Sequence, residues 1–251
     1  MRYSMRQSLC FLPLLLALLW GQMSSPAASD TAAGQALAAD LCAINPEEPV
    51  EMTGKVAIRQ RNQPTREIPF LFKIIPGQPK WTSLYQTLAG DSNTPPRQLL
   101  IHRSPGSPNQ YVLVTAAAGS HVFNQTNAAI APTEIFAGSD FFIGDLGLEF
   151  LRWSDQKLLR KEMTMSRPCR VLESRPGPGD NSLGYSRVVS WIDNETGGIL
   201  RAQAYDVSGK LLKEFELNSF KKVAGQYRLE EMEMRNVQTR SRTRLIFDLQ
   251  P

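Results

Sequence analysis

Alternation of apolar and polar residues dominates the chain, in two blocks separated by a stretch that does not alternate. In the first block, Thr53 to Gln63 sends Val56 and Ile58 to one side and Lys55 and Arg59 to the other, as a half-buried strand requires. Asn62-Gln63-Pro64 reads as a turn. The pattern strengthens from Ile68 to Ile74, where Ile68, Phe70, Phe72 and Ile74 share a face, with Pro69 suited to the start or edge of a strand and Pro76-Gly77 ending it. Trp81 to Leu88, Gln98 to Arg103 and Gln110 to Thr115 are further strands, with a polar Pro-containing loop at 90–97 and a turn-rich connector at 104–109. Ala116 to Pro132 carries no assignable pattern.

The second block is a meander. Strands are expected over Met163 to Glu173, Ser186 to Asp193, Ile199 to Tyr205, Lys210 to Phe220, Gln226 to Asn236 and Arg240 to Leu249. Asn194-Glu195-Thr196-Gly197-Gly198, Asp206-Val207-Ser208-Gly209 and Ala224-Gly225 supply hairpin turns, and 176–181 is a Pro/Gly loop. An antiparallel sheet of this kind covers one apolar face. Val189 and Trp191, Met232 and Met234, and Leu245, Phe247 and Leu249 are expected on it, with Glu231, Glu233, Arg235, Arg242 and Arg244 as cross-strand charges opposite.

Between the blocks, Gly138-Ser139-Asp140-Phe141-Phe142-Ile143-Gly144-Asp145-Leu146 sets three bulky apolar residues among glycines and aspartates. It reads as a partly buried joint between two halves of a sheet, with Asp140 and Asp145 as caps or turn formers. Leu148, Leu151, Leu158 and Leu159 then give Leu146 to Arg160 a helical spacing that Trp153-Ser154-Asp155 interrupts. A short amphipathic helix is also expected over Thr31 to Ile44, closed by Pro46 and Pro49.

The N-terminus has Arg2 and Arg6 before an apolar run, Leu9 to Trp20, and a small-x-small site at Ser25-Pro26-Ala27. That is the anatomy of a secretory signal, and the run is shorter than the ~20 residues a membrane anchor needs. Cys10 sits at the front of the run, not after it, so it is not placed as a lipidated cysteine. The expected division is a signal peptide at 1–27, a tether and short helix at 28–50, and a folded domain at 51–251. Setting Arg2 and Arg6 aside leaves 26 basic against 24 acidic residues and lowers the net charge from +4 to +2. That balance excludes a nucleic-acid binder. Two cysteines, Cys42 and Cys169, then remain. In an oxidising compartment they form either a disulfide, closing a loop worth ~4–5 kcal/mol before strain, or two buried thiols.

Catalytic signatures are missing. His102 and His121 have no metal-spaced partner, and Glu47-Glu48 and Glu230-Glu231 are neighbours that point apart on a strand. No nucleophile elbow, Cys-x-x-Cys pair or phosphate loop is present, so neither an enzyme nor a cofactor is expected. Asn124-Gln125-Thr126 and Asn194-Glu195-Thr196 match a glycosylation pattern that chance also produces.

Four pieces in order carry a family likeness: Gly138-Ser139-Asp140-Phe141 with Asp145-Leu146; Cys169-Arg170-Val171-Leu172-Glu173; Tyr185 to Asp193; and Tyr205 to Lys213. Together they resemble the outer-membrane lipoprotein-sorting (LolA-like) family of periplasmic proteins over Gly138 to Leu249, with Thr53-Gly54 in support upstream. The segment departs from the family motif at Phe142, Ile143 and Gly144, where polar, aromatic and acidic residues usually stand. The resemblance implies a mainly β (α+β) fold, a curved antiparallel half-open β-barrel with helices over its concave apolar face. It also implies carriage of lipoprotein acyl chains or a similar lipid in the cavity, with an outer-membrane receptor as partner and a monomeric carrier. The expected cavity lining is Val56, Ile58, Phe70, Phe72, Ile74, Leu113, Phe141, Phe142, Val189 and Trp191, residues that could equally fill an ordinary core. A binding or sensor module of the same fold, engaging a protein partner without transport, is the alternative.

Overall fold

The computed structural model describes residues 26–88, 95–116, 123, 130–180, 182–223 and 226–249. The signal-like run with Cys10, His121, Asn124-Gln125-Thr126 and the Ala224-Gly225 turn lie outside them.

Among the described residues, twelve strands form one antiparallel sheet. They are β1 (Val50–Arg59), β2 (Arg66–Ile75), β3 (Trp81–Thr87), β4 (Arg97–Arg103), β5 (Gln110–Thr115), β6 (Asp155–Thr164), β7 (Arg167–Arg175), β8 (Tyr185–Asp193), β9 (Ile199–Asp206), β10 (Leu211–Val223), β11 (Gln226–Asn236) and β12 (Ser241–Phe247). Their spatial order is β5-β4-β3-β2-β1-β12-β11-β10-β9-β8-β7-β6, so each block folds as a meander and the two meet where β1 pairs with β12. The sheet is curved and does not close, leaving β5 and β6 as its edges.

That junction corrects the role expected of the central stretch. The halves of the sheet are joined by the β1–β12 ladder, and residues 130–154, which lead to the β6 edge, cross over the inner face. Along this crossing, Phe136, Phe141, Ile143 and Leu146 bury into one cluster with Val56, Phe70, Leu99, Leu245 and Phe247. Phe150, Leu151 and Trp153 bury into a second with Leu172, Tyr185, Val188 and Ile192. Helix α1 (Pro26–Ala43) packs against β6 and adds Leu37 and Ala38 to the second cluster.

The expected helical cover is therefore only partly present. Beyond α1, the crossing contains a four-residue helix, α2 (Ile143–Leu146), and one 3-10 turn at Glu149–Arg152. The helix read over Leu146 to Arg160 does not form. Leu148 takes a left-handed φ of 52°, and Leu158 and Leu159 belong to β6. Most of the cover is a folded-back loop in which Ile135 bridges Phe142, and the Phe136 amide donates to the Phe141 carbonyl at 3.0 Å.

Two further readings are corrected. Val189 and Trp191 face outward, in a third cluster with Cys169, Val171 and Leu200, while Val188 and Ile192 face inward. β8 is apolar on both faces, so alternation fixes its parity but not its side. Cys42 and Cys169 are free thiols. Cys42 packs on α1 within the inner second cluster and Cys169 within the outer third, so the sheet separates them and no bridge forms. The cross-strand charges are found as expected, with Arg244–Glu231 at 3.5 Å and Arg242–Glu233 at 3.8 Å between β12 and β11.

Candidate functional site

Phe215 on β10 packs against both inner clusters, and beside it they fail to fill the space between them. A cavity of about 180 Å³ remains, lined by the crossing (Phe141, Leu146, Phe150), by β8 and β9 (Tyr185, Val188, Ala202, Ala204) and by β10 and β11 (Phe215, Met232, Met234). Its origin is local: alternation along β9 turns Ala202 and Ala204 inward, where two methyl groups stand in place of larger side chains. The two methionines opposite are unbranched and adapt to irregular volume.

The wall carries few polar groups. Lys213 lies on the inner side of β10 with Phe215, 3% exposed, and its ammonium meets Asp145 Oδ2 at 2.9 Å. The same ammonium stands 3.2 Å from the centroid of the Phe142 ring, a cation–π contact in a desolvated place. The Tyr185 hydroxyl donates to Asp145 Oδ1 at 2.9 Å, and the Phe142 amide donates to Oδ2 at 2.8 Å. Burial lowers the Lys213 pKa against the opposing pull of Asp145. Burial likewise raises that of Tyr185, and Asp145 raises it further. Arg103, at the end of β4, donates to the Leu146 and Gly147 carbonyls at 2.8 Å each and stacks over Trp81. Burial lowers its pKa.

Asp145 thus ties the crossing to β8 and β10, and Asp140 ties it to β12. The Asp140 amide donates to Thr243 Oγ1 at 2.9 Å, that hydroxyl donates to Asp140 Oδ2 at 2.8 Å, and Ser241 Oγ donates to Oδ1. Both aspartates act as anchors of the loop. The glycine at 144 has a matching cause: a Cβ there would lie 2.4 Å from Leu183 Cδ2 and 3.2 Å from Pro132 Cβ.

Of the ten residues expected to line a cavity, Phe141 lies on this one. Val56, Ile58 and Phe70 are sealed in the first cluster, with Phe72 and Leu113 packed at its margin, and Ile74 is half-buried on β2. Phe142 stacks on Tyr185, 5.9 Å between centroids, behind the wall. Val189 and Trp191 are on the other face. Sequence reasoning missed Lys213, Tyr185 and the alanines of β9. The signal for Lys213 was available, since Lys213, Phe215 and Leu217 share parity on one strand. His102 is occupied on β4 by Thr82 Oγ1 at 2.8 Å. Among the described residues no cluster of His, Cys, Asp or Glu could hold a metal, and no helix is long and apolar enough to cross a membrane.

A family model described only as an uncharacterized protein matches residues 125–249. No curated protein matches the chain. Among solved structures, the chain is similar to a DUF1329 family protein from Desulfovibrio piger, with a TM-score of 0.67 and 20% identity, covering 87% of this chain and 91% of that one. It is equally similar to a domain from Vibrio parahaemolyticus named for outer-membrane lipoprotein sorting, again at 0.67 and 20% over 87% and 91%. A LolA superfamily protein from Nitrosomonas europaea follows at 0.56 and 16%, over 86% and 91%. The chain therefore has the LolA-like fold.

Proposed function

We propose that this chain is an exported periplasmic binding protein that takes an acyl chain of a lipoprotein or a similar lipid into its inner cavity. The observation that carries the reading is an apolar cavity left open between two core clusters, beneath a loop tied to the sheet by a few polar side chains. An ordinary core closes such a gap, because unfilled volume costs stability. Each methylene of an acyl chain gains about 0.8 kcal/mol on burial, and no polar recognition is needed to hold it. Export would follow from the signal-like segment at 1–27, with 28–50 as tether and helix and 51–251 as the binding domain. Handover to an outer-membrane receptor by a monomeric carrier belongs to the same reading.

The cavity's size favours a second reading. At about 180 Å³ it is smaller than the roughly 300–1,000 Å³ of most small-molecule pockets. A whole acyl chain enters only if the loop lifts, whereas a binding or sensor module that engages a protein partner has no such need. A displacement titration with a fluorescent fatty acid separates them. Saturable binding by the wild-type chain, lost in the cavity-filling Ala204→Phe variant at unchanged secondary structure, supports carriage. Binding that is absent, or unaffected by Ala204→Phe, removes the acyl cavity and leaves the module.

A further inference from the structure

A row of three arginines crosses the outer face of the junction between the two blocks. Arg59 on β1 stands opposite Arg242 on β12, and Arg242 stands opposite Arg235 on β11. Their neighbours Ile58, Thr243 and Met234 are buried, so parity turns all three arginines outward. Like charges directly opposite one another weaken a sheet. Part of the row is offset: Glu233 lies 3.4 Å from Arg235 and 3.8 Å from Arg242, and Glu214 and Glu216 each lie 3.5 Å from Arg235. The turns at this end of the strands add Arg61 and Arg240. Together the five arginines line a cleft of about 650 Å³ that has no aspartate or glutamate in its wall. Among the described residues Arg59, Arg61 and Arg240 take part in no ion pair, and all three are exposed. Val237, 41% exposed, stands on the same wall.

We propose that this cleft docks the protein on an anionic bilayer, its guanidinium groups meeting headgroup phosphates while Val237 enters the interfacial layer. A guanidinium matches phosphate oxygens through paired hydrogen bonds, and clustered arginines at a surface draw anionic lipid. An exposed aliphatic side chain among the arginines suits a boundary between polar headgroups and acyl chains better than it suits a soluble anion. The proposal does not depend on the cavity being occupied, since surface docking is read without any cavity ligand.

Vesicle sedimentation of the full chain tests it, comparing mixed phosphatidylglycerol–phosphatidylcholine vesicles with pure phosphatidylcholine. The apolar N-terminal run contributes to both kinds of vesicle, so the ratio between them is the readout. The wild type should prefer the anionic vesicles, and added salt should erase the preference. Each basic residue near an anionic surface contributes roughly fivefold, so Arg59→Gln/Arg61→Gln/Arg240→Gln should lower binding about a hundredfold. Lys210→Gln/Lys221→Gln/Lys222→Gln removes the same formal charge from exposed positions outside the cleft and should keep the preference. Equal losses in the two triple variants, or no preference in the wild type, would overturn the proposal. So would binding of soluble pyrophosphate, or of an acidic protein, by a wild type that ignores anionic vesicles.

Discussion

The ammonium of Lys213 sits between the Phe142 ring and the Asp145 carboxylate within an apolar wall, where Asp145 opposes the effect of burial. Neither Lys213 nor Asp145 is exposed enough for water to take over, at 3% and 9%. Removing one member of such a pair strands the other. Lys213→Met should therefore cost about 3–5 kcal/mol, because Asp145 keeps only the Tyr185 hydroxyl and the Phe142 amide. The double variant Lys213→Met/Asp145→Asn should recover most of that loss, since a neutral amide no longer has a buried charge to compensate. Urea unfolding of the wild type, both single variants and the double variant measures the coupling. A Lys213→Met protein as stable as the wild type would mean that the pair holds nothing in place.

Among the elements, the β1–β12 ladder carries the most, because it alone joins two meanders whose other strands pair only within their own block. Gly54 is what allows it: a Cβ there would lie 2.0 Å from the Ile246 carbonyl oxygen. A backbone atom cannot swing aside, so Gly54→Ala must push β12 away, at the upper end of the ~1–3 kcal/mol of overpacking or beyond it. A thermal melt should show a clear drop for Gly54→Ala and little change for the neighbouring surface variant Lys55→Ala; equal melts would place the join elsewhere. The hairpins around Asn194–Gly198 and Asp206–Gly209 were legible because glycine supplies the positive φ at Gly197 and Gly209. The β6–β7 hairpin was not, because its turn uses Met165 and Ser166 at φ 52° and 60°, residues that do not advertise that conformation. Leucine spacing suggested a helix where the crossing needed only apolar anchors at irregular intervals. The site was the least legible part, since a cavity depends on what Ala202 and Ala204 leave unfilled, and missing volume has no pattern along a chain.

On the scale of the whole molecule, an open sheet of twelve strands supports a loop across its inner face, and the two are held by different forces. The sheet is secured by eleven ladders, four of them with bulges, whereas the crossing rests on apolar anchors and on polar contacts from Asp140, Asp145 and Arg103. Segments with few backbone ladders open below the global unfolding free energy. Thr243, 0% exposed on β12, both accepts from the Asp140 amide and donates to its carboxylate. Thr243→Val keeps the shape of the side chain and removes both bonds, leaving the half-buried Asp140 amide without this partner and its carboxylate with Ser241 alone, at roughly 1–3 kcal/mol. Amide exchange measured by mass spectrometry should then speed up on the order of tenfold or more across 136–146, since ~1.4 kcal/mol is a factor of ten. The β1 and β12 amides should keep their wild-type protection. Acceleration spread evenly over the sheet would mean that loop and sheet open as one unit, and that the cavity cannot be reached without unfolding the domain. Local acceleration, accompanied by faster uptake of the fluorescent fatty acid, would identify the crossing as the element that has to move before anything enters the cavity.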